Sequence, residues 1–150
     1  MNIVRQFVTR GVCIRGNQIL ILNKKGECHY FLPGGRVEKG ERCEDALIRE
    51  IKEELNKDSS IIRYIGAIEH DFIHYSGKQY YEIGNFFLID IKDIDSDVVS
   101  SNETELEFQW KNIDDLDKIN IKPSPVVELI RHINSKNAKA FWASTLLKKR

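Results

Sequence analysis

Leu32-Pro33-Gly34-Gly35-Arg36-Val37-Glu38-Lys39-Gly40-Glu41 leads, within one turn of chain, into Ala46-Leu47-Ile48-Arg49-Glu50-Ile51-Lys52-Glu53-Glu54-Leu55. The first half is a breaker, with proline and glycine where backbone must bend or pass close to something else. The second half has helical period. Leu47, Ile48, Ile51 and Leu55 fall on one face, with Ala46 at its edge. The pattern predicts a helix from Glu41 to Leu55. Glu41, Glu44 and Asp45 lie in its first turns, where the dipole favours anions. Asn56 stands where a left-handed residue often ends a helix. At about 100° per residue, Glu53 lies about 60° to one side of Glu50 and Glu54 about 40° to the other. Three carboxylates therefore share one face and border the apolar stripe. Like charges at this spacing repel by a few tenths of a kcal/mol each. A hard divalent cation, which takes oxygen ligands, removes that cost. On the helix alone, the competing reading is a solvated Glu-rich face beside Arg49 and Lys52.

On the N-terminal side, Phe7–Ile14 and Gln18–Leu22 flank the turn Arg15-Gly16-Asn17 and predict a β-hairpin. On the C-terminal side, Ile61–Tyr75 and Lys78–Ile91 flank Ser76-Gly77 and predict a longer one. An acidic stretch from Asp90 to Glu107 then leads into a short strand, Leu106–Trp110. A short helix at Ile113–Leu116 and an amphipathic helix after Pro123-Ser124-Pro125 complete the pattern. Strands, a helix, strands and a helix in this order predict an α+β fold.

The chain has 150 residues, with 23 Lys+Arg against 23 Asp+Glu. Its 41% hydrophobic and 31% charged residues suit one globular domain, residues 1–150, and exclude a disordered polyelectrolyte. Residues 136–150 form a tail whose Phe141, Trp142, Leu146 and Leu147 call for packing on the domain or on a dimer partner. Zero net charge argues against nucleic acid as a partner held mainly by charge. No apolar run approaches the ~20 residues of a membrane span, and no signal peptide opens the chain, so a cytoplasmic location is expected. Cys13, Cys28 and Cys43 are odd in number and lack C-x-x-C spacing, which disfavours disulfides and zinc sites. His70 and His74 share a strand face, and surface histidines are the preferred reading over a transition-metal pair.

The spacing Gly35, Glu41, Arg49-Glu50, Ile51, Glu53-Glu54 resembles the signature of the Nudix hydrolases. Every charged position matches. Asn56 replaces the usual Gly and Lys57 the usual apolar residue. The resemblance extends over roughly residues 5–133. It implies an α/β/α sandwich with a mixed sheet between helices. It also implies hydrolysis of a nucleoside diphosphate linked to another group, X, with Mg²⁺ or alternatively Mn²⁺. Nucleoside triphosphates, nucleotide sugars and ADP-ribose are the substrate types in view. By the same resemblance, Glu50, Glu53 and Glu54 hold the metal, while Gly35, Glu41 and Arg49 support them. The base that takes the proton from water is Glu50 or a later loop acid, with Glu105 first and Glu103 second. Arg36, Glu38, Glu82 and Glu103 are further candidates for touching substrate. A non-catalytic nucleotide sensor and an RNA 5′-end pyrophosphohydrolase are the alternatives. Retention of all the signature acids favours the enzyme. Homodimers are common in such proteins.

Overall fold

A computed structural model describes residues 2–135 and 139–146. Its strands are β1 (Ile3–Val12), β2 (Ile14–Arg15), β3 (Gln18–Lys24), β4 (Gly34–Arg36), β5 (Ser59–Ile73), β6 (Gln79–Ile91), β7 (Leu106–Asn112) and β8 (Phe141–Ser144). Its helices are α1 (Cys43–Leu55) and α2 (Val126–Ile133), with a 3-10 turn at Ile113–Lys118. One sheet is mixed, in the order β4-β1-β6-β5-β8, and a smaller one runs β2-β3-β7. Mixed sheet and helices together make an α+β sandwich.

β3 explains why two helices are needed. Ile19, Leu20, Ile21 and Leu22 are all buried, a continuous apolar run instead of an alternating one. Alternate side chains point to opposite faces. Ile19 and Ile21 join Val126, Leu129 and Ile130 of α2, whereas Leu20 and Leu22 join Leu47, Ile51 and Leu55 of α1. Ile51 is fully buried in this second cluster. We expect Ile51→Ala to cost about 2–5 kcal/mol, because the neighbours cannot close the hole. The urea midpoint should fall with an unchanged slope. A loss below about 0.5 kcal/mol, typical of surface sites, would contradict this core.

Two elements differ from the sequence expectation. The N-terminal segment does not form one hairpin. The ladder breaks at Cys13, β1 pairs in parallel with β6, and only β2 turns back on β3. The apolar content of β1 serves a distant partner, which local reading cannot identify. The glycine bend also carries a strand: β4 pairs antiparallel with β1, with Thr9 opposite Gly35. Gly34 has φ 138°, and a Cβ there would lie 2.0 Å from the Thr9 carbonyl oxygen. Only glycine allows this approach. α1 begins at Cys43, two residues later than predicted, and ends on Asn56 at φ 53°, whose N–H bonds the Lys52 carbonyl. The Lys57 ammonium turns away and donates to the Asp93 carbonyl at 2.7 Å. Within the tail, β8 pairs in parallel with β5. Residues 136–138 and 147–150, including Leu147, lie outside the described residues.

No helix among the described residues is long and apolar enough to cross a membrane.

Candidate active site

β4 and α1 meet at Gly35. A Cβ added there would stand 2.4 Å from Glu50 Cδ, so the missing side chain is the space the Glu50 carboxyl fills. Arg49 organises the surrounding acids. Its Nε and Nη2 donate to the two oxygens of Glu41 at 2.8 and 2.9 Å, a bidentate pair. Its Nη1 donates to Glu50 at 3.2 Å and to Glu53 at 3.1 Å, and Nη2 also reaches the Arg36 carbonyl at 3.1 Å. The Arg49 guanidinium holds the Glu41 carboxyl down to about 2, helped by the Glu38 N–H. Glu41 in return raises Arg49.

The three helix acids are graded in burial. The Glu53 side chain is 50% exposed and Glu50 16%, while Glu54 is a buried residue at 4%. Loss of water pushes Glu50 upward, opposed chiefly by the Arg49 charge. The same effect pushes Glu54 up to about 8, opposed by Arg10 and reinforced by the charges of Glu50 and Glu103. Glu54 Oε2 is buried without a hydrogen-bond partner. A buried oxygen of this kind costs free energy unless something satisfies it. An all-carboxylate donor set with one such oxygen suits a hard divalent cation. Among the described residues, no three His, Cys, Asp or Glu side chains stand in coordinating geometry. Glu50 and Glu53 turn to Arg49 instead.

The loop before β7 is pinned to the end of α1. Asn102 donates its N–H to the Glu54 carbonyl at 2.7 Å and its side-chain amide to the Glu53 carbonyl at 3.1 Å. Ser101 donates to the Glu103 carbonyl and accepts the Glu103 N–H. Glu103 is thus carried to where its charge acts on Glu54. Glu105 is exposed, and its carbonyl accepts the Lys25 N–H. Arg36 ends β4 and Glu38 follows on the loop, both exposed, while Glu82 lies on β6 in the wall of a neighbouring cavity.

Arg10 escaped the sequence reading. It donates to the Leu32 and Gly34 carbonyls at 3.2 and 3.1 Å and sits over the Phe31 ring at 5.3 Å. It is the largest favourable charge acting on Glu54. A lone cation within the apolar run Val8–Val12 was the available signal.

The family model of the NUDIX domain matches residues 5–130. The chain belongs to the NUDIX family. A putative nudix hydrolase of Caenorhabditis elegans is 26% identical over 116 residues, 75% of this chain and 29% of its own. An 8-oxo-dGTP diphosphatase of Proteus vulgaris is 31% identical over 65 residues, 41% of this chain and 58% of its own. The chain therefore spans less than two thirds of these curated relatives. Among solved structures, the MutT protein of Bacillus halodurans superimposes with a TM-score of 0.68 at 18% identity. That match covers 93% of this chain and 88% of the other, and shows a shared NUDIX fold. NUDIX hydrolases generally use divalent metals.

Proposed function

We propose that this chain is a single-domain, Mg²⁺-dependent hydrolase, with Mn²⁺ as the alternative metal, that cleaves the pyrophosphate bond of a nucleoside diphosphate linked to X. The carrying observation is the buried, unpartnered Glu54 oxygen beside Glu50, at the end of a glycine bend whose form leaves room for a carboxyl. Glu50, Glu53 and Glu54 are the residues that would hold the metal. A bound divalent cation supplies charge neutralisation for the diphosphate and a lowered pKa for the attacking water.

The chain's own groups do the rest. Arg49 stays anchored by its two bonds to Glu41 and keeps Glu50 and Glu53 turned toward one another. Arg10 holds the Leu32–Gly34 backbone in place and offsets charge beside Glu54. A carboxylate near the metal residues takes the proton of the attacking water as oxygen bonds to phosphorus and the leaving phosphate departs. Glu103 ranks ahead of Glu105 for that part, because its charge reaches Glu54. The retained acids favour catalysis over a purely sensing role. The relatives' printed activities make nucleotide diphosphates and triphosphates the first substrates to try.

The test is phosphate or pyrophosphate release from a nucleotide panel with and without Mg²⁺. Glu103→Gln should lower kcat about 10²-fold or more, the range for a lost general base, and Glu105→Gln should change it little. Equal losses in both variants, or release that ignores Mg²⁺, would overturn the assignment.

A further inference from the structure

A cavity of about 430 Å³ opens on the α2-side face of the mixed sheet. That is within the usual range of small-molecule pockets. Arg10 lines it and donates to the carbonyl of Gly34, next to Gly35 where the Glu50 carboxyl sits, so the cavity adjoins the acids. Its sheet wall is ordered by strand register. Gln6 on β1 lies opposite Glu82 on β6, and Glu82 lies opposite His70 on β5. These three polar residues make one row across three strands, and all face the cavity. The next row is Val8, Gly84 and Ile68. A Cβ at Gly84 would press on Phe86 at 3.1 Å and Val8 at 3.2 Å, so the floor beside the polar row is flat and apolar. Phe31 and Phe72 supply aromatic walls.

The row has a defined hydrogen-bonding sense. Gln6 Nε2 donates to Glu82 Oε2 at 2.8 Å. Among the described residues, Glu82 Oε1 has no such partner. The Gln6 amide retains a second N–H. His70 Nδ1 is engaged by Thr145 Oγ1 at 3.0 Å, just past β8, which fixes its ring against Phe72. Read along the row, the wall offers a donor at Gln6 and then a carboxylate that accepts two bonds.

We propose that the Gln6–Glu82–His70 row reads a guanine base, making this a guanine-nucleotide site. The proposal rests on the hydrolase reading above and adds the substrate class. Guanine presents a carbonyl oxygen, a ring N–H and an amino group side by side. The oxygen takes the free Gln6 N–H, and the two donors fill the Glu82 carboxylate. Adenine would turn a ring-nitrogen lone pair toward that carboxylate, and uracil or cytosine a carbonyl oxygen. Each leaves the half-buried Glu82 charge facing an acceptor, the mismatch by which polar sites reject analogues.

Nucleoside monophosphates test this without cleavage. In calorimetric titrations of the full chain, GMP should bind about tenfold or more tighter than AMP, UMP or IMP, which lacks the amino group. Glu82→Gln should lose that preference while its circular dichroism stays unchanged. Equal affinity for GMP, IMP and AMP in the unsubstituted chain overturns the proposal, as does undetectable GMP binding. So does a Glu82→Gln variant that weakens all four ligands equally. A GMP preference without hydrolysis of any nucleoside triphosphate or other nucleoside diphosphate derivative would sink the hydrolase reading and keep the row. Hydrolysis with no preference among bases would do the reverse.

Discussion

Glu54→Gln should remove activity and, in metal-free protein at alkaline pH, raise stability. Glu54 is buried at 4% exposure and its carboxyl is pushed up to about 8, first by loss of water. The folded state therefore keeps a proton that the unfolded chain releases near its ordinary value of 4.5. Stability is full below pH 4.5 and falls as pH rises through 8, because the unfolded state binds fewer protons in that window. One pKa unit is about 1.4 kcal/mol, so the loss is on the order of a few kcal/mol. Gln is nearly isosteric and never ionises, so the variant should lack this slope. Urea melts from pH 5 to 9 with a chelator present should show the two proteins alike at low pH and the variant ahead at pH 9. Adding Mg²⁺ should flatten the slope of the unsubstituted protein and leave the variant unmoved. Turnover should fall by more than the ~10–100-fold typical of losing a mere supporting partner. A variant that turns over normally, or one that unfolds at pH 7, would refute the role given to this residue.

Arg49→Lys should lower catalysis with a smaller effect on the fold. The guanidinium holds Glu41 by two parallel bonds and reaches Glu50, Glu53 and the Arg36 carbonyl. A lysine ammonium cannot reproduce a planar fork. The acids would lose their common anchor, and kcat should drop about 10–100-fold. The pH response separates this from a general loss of structure. With Glu41 lowered to about 2, the pair stabilises the fold fully above pH 4.5, and that contribution is lost as pH falls through 2. The parent should therefore lose most of its advantage over the lysine variant between pH 4.5 and 2, and the two acid melts should converge there. Unchanged kcat in Arg49→Lys would mean that the fork positions nothing.

Part of this site is legible along the chain because it is local. Glu50, Glu53 and Glu54 are neighbours through the pitch of one helix, and the Gly35-to-Arg49 spacing falls within a single bend and the helix it enters. Helical period also places Leu47, Ile51 and Leu55 on the face that packs against β3. The wheel reading put the three acids at the edge of the buried stripe. It could not say that Glu54 goes under while Glu53 stays half exposed, since that depends on β4 and on the loop pinned by Asn102. The same loop separates Glu103 from Glu105, residues of identical chemistry two positions apart.

Other parts have no local signature. A parallel pair such as β1 with β6 joins segments separated by about half of the chain, and nothing in either names the other. The row of Gln6, Glu82 and His70 exists only because three strands align in register. Arg10 acquires its place between cavity and acids in the same way. Spacing along the backbone was enough to identify the family, because one helix carries the acids and helical geometry is set by covalent structure and hydrogen bonding. The wall facing a substrate awaited the sheet, because hydrogen bonds between distant strands decide which side chains stand together.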